Sequence, residues 1–372
     1  MVKVLVFGMT ANMGGVESFL MNYYRHIDKS KVHFDFLCNS MLPCAYEDEL
    51  IKSGSIVYHI TARSHNLVRY HHELEKLFQN HHSEYDAIWV NVNSLANIDY
   101  LIMAKKYQIP RRIIHSHNSQ NMDSRLRGIL HQYNKNKIDR YATDFWACSD
   151  GAARWFYRDE LMPQVHIVHN AINIHEKKFD FQKRSTIRNN LGLKDSDICI
   201  GNIGRLHFQK NQKFALQVFA EYNKINPASR LVFVGQGQDE KMLKEMCHKL
   251  GIADRVIFAG LQKDIQAWLS AFDIFLFPSL FEGLSIAALE AQANGVPILA
   301  SETAVSQELR IADNLRLLSL EETPEQWAQS LNEISHSMKR TSYELVKERF
   351  VAAEYEINAE ANKLEKAFLE EV

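Results

Sequence analysis

Arg205 and Lys210 lie in the loop NIGRLHFQKN (202–211), between a strand-like run and a helix-like run. Two cations beside a helix N-terminus suit a diphosphate, because arginine offers a planar fork of donors and lysine a point charge. Further along, LFEGLSIAALEAQANG (280–295) puts Glu282 just ahead of a predicted helix and Glu290 eight positions later. Eight residues of helix rise about 12 Å, so the two carboxylates share roughly one side but stand too far apart for a paired-acid hydrolytic site. They suit gripping two separate parts of an extended ligand. Gly283 permits close backbone approach, and the unpaired N–H groups at the helix start favour an anion. Such a site suits a phosphorylated sugar compound.

Three other segments offer chemistry. The loop GMTANMGGVE (8–17) follows a first strand and opens a helix; Gly14 and Gly15 would let backbone N–H groups come near a ligand. It lacks the G-x-G-x-x-G spacing, and no GK[ST] follows, so a plain βα turn is the competing reading. In IIHSHN (113–118), His115 and His117 point to one side of a strand. A neutral imidazole there can hydrogen-bond a sugar hydroxyl or a leaving phosphate, while zinc would need a third ligand that is not evident. VGQG (234–237), with Gly235, is another strand-end turn. The DSD at 195–197 precedes a strand within a charged stretch and reads as a solvated turn, so no metal site is expected.

The elements that must position these residues alternate. In the first half, strands are expected at 3–7, 33–38, 56–60, 87–92, 112–116, 145–148 and 165–168, with helices between them and a long one over 124–142. The second half restarts at 198–203 and continues with strands at 230–234, 256–258, 274–277 and 297–300 and helices between them. Two helices, 324–339 and 342–369, close the chain. The polar stretch 170–197 suits a linker with a leading helix. This βαβ rhythm implies two parallel sheets, and ligands bind at the carboxyl ends of such strands, so a cleft between two domains is expected.

Composition fits a soluble globular protein. Of 372 residues, 46% are hydrophobic and 24% charged, and the net charge of −2 does not indicate a nucleic-acid partner. The five cysteines are scattered with no CxxC pair, which predicts buried free thiols in a reducing compartment. No run of 18 apolar residues occurs, so a cytoplasmic location is expected. Lys105, Lys106, Arg111, Arg112, Arg125, Arg127, Lys135, Lys137 and Arg140 make the first half locally basic, which would suit peripheral contact with anionic lipid at the inner membrane face.

Taken in order, GGVE, HSHN, VHNAI, NIGRLHFQKN, VGQG and FPSLFEGLSIAALE resemble the retaining GT-B glycosyltransferases of family 4, in the style of bacterial capsular and exopolysaccharide enzymes. The last segment carries that family's E-x7-E pattern. The resemblance implies two Rossmann-like domains whose parallel sheets face across a cleft: an acceptor domain over 1–172 with a crossing helix at about 345–372, and a donor domain over 173–344. It implies that Arg205 and Lys210 bind the donor diphosphate, with the turn at Gly204 and the backbone N–H groups of Leu284 and Ser285 beside them. Glu282 would take sugar hydroxyls and Glu290 the ribose. Leu261, in the segment 258–263, would meet the nucleobase. Gly14 and Gly15 would line the cleft, and His117 would sit by the reacting sugar, with His115 a rival for that role. SETAVSQE (301–308) lacks the glycines common there, and Asn202 replaces a usual apolar residue.

The implied reaction moves a hexosyl unit from a nucleotide diphosphate sugar, UDP-linked by resemblance, to a saccharide or lipid-linked acceptor, with retention and without a metal or cofactor. A GT-B sugar-nucleotide epimerase and a non-catalytic partner subunit are the alternatives.

Overall fold

A computed structural model describes residues 1–118, 124–282, 285–305 and 307–370. The chain forms two compact units, Met1–Ala171 with Ile357–Val372, and Ile172–Glu356.

Unit 1 is built on seven strands: β1 (Val2–Phe7), β2 (Val32–Cys38), β3 (Val57–His59), β4 (Ala87–Val92), β5 (Arg111–Ser116), β6 (Asp144–Ala147) and β7 (Val165–Ile167). The apolar runs of β1, β2 and β4 are buried on both faces, the pattern of a parallel sheet covered by helices. The order is β3-β2-β1-β4-β5-β6-β7 and every pairing between these strands is parallel. The helices are α1 (Gly15–His26), α2 (Glu47–Lys52), α3 (Leu67–His81), α4 (Asp99–Lys106), α5 (Arg125–Lys135) and α6 (Asp150–Phe156).

Unit 2 repeats the plan with α7 (Ile174–Lys177), α8 (Phe181–Asn190), β8 (Ile198–Ile203), α9 (Gln212–Ile225), β9 (Ser229–Val234), α10 (Glu240–Lys249), β10 (Val256–Phe258), α11 (Ile265–Ala271), β11 (Ile274–Phe277), α12 (Ile286–Asn294), β12 (Ile298–Ser301), β13 (Leu315–Leu318), α13 (Pro324–Ser337) and α14 (Tyr343–Ala352). Its strand order, β10-β9-β8-β11-β12-β13, is again parallel. The last helix, α15 (Ile357–Leu369), belongs to unit 1, where Ile357, Ala361, Leu364 and Phe368 complete the core over β1 and β2. In each sheet the strand order reverses direction next to β1 or β8, the switch points at which open α/β sheets bind ligands.

The structure departs from expectation in four places. From Ile172 on, the stretch 170–197 is integral to unit 2: α8 is fastened by Arg184 and Arg188, which both pair with Asp273, just ahead of β11, at 2.6 and 2.9 Å. The 342–369 helix is two helices, broken where Glu354 takes φ 64° and Ile172 donates to the Tyr355 carbonyl. The 124–142 helix stops at Lys135, followed by a single 3-10 turn at Ile138–Arg140. Finally, β13 was not expected; its four residues are all half-buried at a sheet edge, so they carry no continuous apolar run. All five cysteines are buried. Among the described residues, no helix is long and apolar enough to cross a membrane.

Candidate functional site

In unit 2 the loops after β8 and β11 are laced together. Lys210 Nζ lies 2.6 Å from Glu282 Oε1, with both side chains largely buried. Lys210 also stands 5.3 Å above the Phe277 ring. Gln209 reinforces the link: its side-chain amide donates to the Phe281 carbonyl at 3.1 Å, and its backbone carbonyl accepts from Leu280 N at 2.9 Å. Asn211 closes the loop in the left-handed region, φ 53°, where asparagine is tolerated better than most residues. Arg205 is exposed on the same loop. The arrangement thus joins Lys210 to Glu282, with Ser285 three residues on from Glu282 as the N-cap of α12, its hydroxyl accepting from Ala288 N at 3.4 Å. Gly283 and Leu284 lie outside the described residues.

The backbone beneath this loop is interlocked. Gly204 N donates to Val234 O, Leu206 N to Gln236 O, and Gly235 N to Gly260 O, at 2.9–3.0 Å. A Cβ on Gly235, at φ 136°, would come 2.1 Å from the Gly204 carbonyl oxygen, which only glycine avoids. Leu261 follows Gly260 and is 72% exposed. Asn202, buried in β8, donates to the Leu276 carbonyl at 2.8 Å and so cross-links β8 to β11 beneath the loops. Two polar atoms nearby, His207 Nδ1 and Ser279 Oγ, are buried without a hydrogen-bond partner among the described residues.

Glu290, on α12, does not stand alone. Lys177 at the end of α7 reaches it at 2.8 Å. Burial works most strongly against the lysine's charge, but Glu290, with Glu176 and Asp264, raises the Lys177 pKa above its ordinary value. Sequence reasoning missed Lys177, which sits in the stretch read as a linker.

In unit 1, the switch strand β1 leads into the loop holding Gly14 and Gly15. Glu17 organises this loop: its carboxylate accepts from Thr10 N, the Thr10 hydroxyl and Gly14 N at 3.1, 2.5 and 3.1 Å. Its carboxylate is buried, and desolvation raises its pKa in spite of those hydrogen bonds. Gly15 opens α1 with space around it, since an added Cβ would meet nothing within 4 Å.

His115 and His117 do share a side, with ring centroids 4.2 Å apart, but their settings differ. His115 is fully buried; its Nδ1 accepts from the Trp89 indole at 3.3 Å. Burial, with His117 and His166 nearby, lowers its pKa well below the usual histidine value. His117 stands just past β5 at the carboxyl edge, half-buried, with its Nε2 2.9 Å from Asn91 Oδ1 and its ring edge-on to Phe19 at 4.7 Å. The Asn91 amide donates to Trp89 O at 3.3 Å, which orients its oxygen toward His117. Nε2 therefore carries the proton and Nδ1 is left as an acceptor. Desolvation holds the His117 pKa at about 3. Neither Asn91 nor Phe19 carries a motif visible in sequence; the former faces the histidine only because β4 and β5 pair in register.

The basic stretch of unit 1 is largely committed to the protein itself. Arg111 is buried against Asp144 at 2.7 Å, Lys106 pairs with Glu75, and Lys135 donates to the Arg154 and Trp155 carbonyls. Arg112 is spent on the Tyr141, Ile109 and Pro110 carbonyls. A broad basic face is therefore not what this region presents.

Residues 183–347 match the Glycosyl transferases group 1 family. Over 354 residues the chain is 27% identical to the Bacillus subtilis (strain 168) protein EpsF, named as a glycosyltransferase, spanning 93% of this chain and 90% of that one. Over 142 residues it is 31% identical to the Escherichia coli UDP-Gal:alpha-D-GlcNAc-diphosphoundecaprenol alpha-1,3-galactosyltransferase, 37% of this chain and 36% of that one. Among solved structures, Anabaena Alr3699/HepE in complex with UDP and glucose aligns over 100% of both chains with a TM-score of 0.79 at 19% identity. The chain thus carries a group 1 glycosyltransferase domain, and its two parallel-sheet units have the GT-B fold.

Proposed function

We propose that the protein is a retaining hexosyltransferase of family 4 type that uses a nucleotide diphosphate sugar, UDP-linked, and acts in cell-surface polysaccharide synthesis. The observation that carries the reading is the joining of Lys210 to Glu282 ahead of the start of α12, on a loop that also carries the exposed Arg205. One cluster then offers cations and peptide N–H groups for a diphosphate and a carboxylate for sugar hydroxyls. The UDP held by the Anabaena protein and the UDP-galactose in the name of the Escherichia coli relative support the choice of nucleotide. The latter's diphosphoundecaprenol substrate supports a saccharide or lipid-linked acceptor.

In this reading the bond from the anomeric carbon to the β-phosphate oxygen breaks while a bond to the acceptor oxygen forms on the same face. The acceptor proton passes to the departing phosphate oxygen. The barrier is charge separation at an oxocarbenium-like sugar, and preorganised donors act best on such developing charge. Arg205 and Lys210 neutralise the diphosphate, with the amides of Leu284 and Ser285 beside them. Glu282 holds the sugar hydroxyls, Glu290 the ribose, and backbone near Leu261 the base. In unit 1, the acceptor domain, Gly15 admits ligand close to the backbone, whereas the N–H of Gly14 is taken by Glu17, and Nδ1 of His117 accepts from a sugar hydroxyl. No metal takes part, because the cations and amides fill that role. The protein works in the cytoplasm.

A thermal-shift screen of UDP-, GDP- and ADP-sugars tests the donor, since a ligand that binds only the folded state raises its melting temperature. Stabilisation by UDP-sugars alone is expected, followed by transfer with retained anomeric configuration by NMR. Unaltered turnover in Arg205→Ala would overturn the assignment.

A further inference from the structure

The loop after β2 is pinned at both ends by one pair of side chains. His59, the last residue of β3, sets Nδ1 2.6 Å from the Ser40 carbonyl oxygen and Nε2 3.1 Å from Glu47 Oε2. The same Glu47 oxygen, at the start of α2, accepts from Cys44 N at 2.7 Å. A carbonyl and a carboxylate only accept, so both ring nitrogens donate and the ring is an imidazolium. Burial works against the charge on Glu47, but the Cys44 N–H and His59 together hold its pKa below the ordinary value, which keeps the pair ionic. Between the pins, Met41, Leu42 and Pro43 are exposed. The loop ends at Tyr46 in the left-handed region, φ 62°, a conformation that a bulky residue keeps only when its surroundings hold it there.

The clamp reaches the glycine turn of unit 1. Ala45 N, next to the pinned Cys44, donates to the Thr10 carbonyl at 2.7 Å. Thr10 and Gly14 in turn share the Glu17 carboxylate. A path of hydrogen bonds and one peptide link thus runs from the His59 ring to Gly14. The titratable groups around His59 do not compete with Glu47 for it. Cys38, its register partner on β2, has its pKa raised by the Cys44 thiol and by burial, and so stays a neutral thiol. On α3, Glu73 is spent on Thr61 N at 2.7 Å and on Arg69 at 2.6 Å.

We propose that His59 is a positioning residue for the transfer reaction: as a cation shared by Ser40 and Glu47 it fixes loop 39–46 and, through Ala45, the turn from Thr10 to Gly15. A neutral ring has one N–H, so losing the proton sets a lone pair against either the carbonyl or the carboxylate and opens one pin. The clamp is therefore whole on the acid side of the histidine titration and opens as the pH rises. Its relevance to catalysis rests on the reading of unit 1 as the acceptor domain, which the donor screen and transfer assay test separately.

Hydrogen exchange of the full chain across about pH 5 to 8, corrected for the intrinsic effect of pH on exchange, tests the clamp without any substrate. The amides of Cys44, Ala45 and Gly14 are expected to exchange about tenfold faster at the alkaline end, the equivalent of one lost charge-assisted hydrogen bond, while β1 and β4 keep their protection. Nitrogen NMR of ring-labelled histidine, with His59 assigned by the signal lost in His59→Gln, should show both ring nitrogens protonated at the acid end. In His59→Gln the side-chain amide donates from one end only, so exchange should be fast and flat across the range. His59→Arg offers a fork of permanent donors and should restore slow exchange with no step in pH. The proposal is overturned if the ring carries a single proton at the acid end, or if the wild-type loop amides exchange equally at both ends of the range. It is overturned as well if His59→Gln frees 39–46 while 8–17 stays as protected as in the wild type.

Discussion

Lys210 and Glu282 neutralise each other across 2.6 Å, so the group assigned to the donor diphosphate and the group assigned to the donor sugar form a single ion pair. Both side chains are largely buried, and removing one partner strands the other's charge. Glu282→Leu is expected to destabilise the protein by about 1–3 kcal/mol in chemical denaturation. The Lys210→Met, Glu282→Leu double variant should recover part of that loss while remaining inactive. Strictly additive effects would show that the pair does not couple.

Lys177 should act by positioning Glu290. With Lys177→Met the carboxylate keeps its place on α12 but loses its fixed orientation. UDP affinity by calorimetry should fall about tenfold, equivalent to about 1.4 kcal/mol, with kcat for the donor little changed. Lys177→Arg should restore most of it. A merely structural role for the lysine would appear as a lower melting temperature with unchanged UDP affinity.

His117 should shape the acid limb of stability. Its folded pKa of about 3 lies below the ordinary histidine value of 6.5. The unfolded chain therefore takes up the proton first, and stability is complete above pH 6.5 and falls as the pH drops toward 3. The slope contributed by one such proton is at most about 1.4 kcal/mol per pH unit. His117→Gln should flatten the melting-temperature profile across this window, and an unchanged profile would contradict the neutral, desolvated ring.

Two glycines should behave oppositely. Gly235→Ala forces a Cβ to within 2.1 Å of the Gly204 oxygen at a positive φ, so a loss above about 2 kcal/mol and a displaced Arg205 loop are expected. Gly15→Ala meets open space at the start of a helix and should change stability by no more than about 0.5 kcal/mol. Its effect should instead appear as lost activity, if ligand approaches the backbone there. Thermal melts and turnover on the same preparations separate the two.

The sheet strands were readable because parallel strands buried on both faces leave short apolar runs, as β1, β4 and β8 do. β13 escaped because alternation at a half-buried edge dilutes that signal. The site loops were readable where glycine, cation and carboxylate fall close together in the chain, as from Gly204 to Lys210. Lys177, Asn91 and Gln209 were not, because their relevance comes from partners 113, 26 and 72 positions away that only the folded chain supplies.

The return of α15 to unit 1 has a consequence for biogenesis. A ribosome releases Met1–Ala171 first, then all of Ile172–Glu356, and only afterwards Ile357, Ala361, Leu364 and Phe368. The continuous second unit can finish its own core while the earlier-made one still displays bare apolar surface on β1 and β2. The nascent polypeptide is therefore most exposed to aggregation and chaperone capture at its oldest portion, and a stop codon a few turns before the end would leave that portion permanently open.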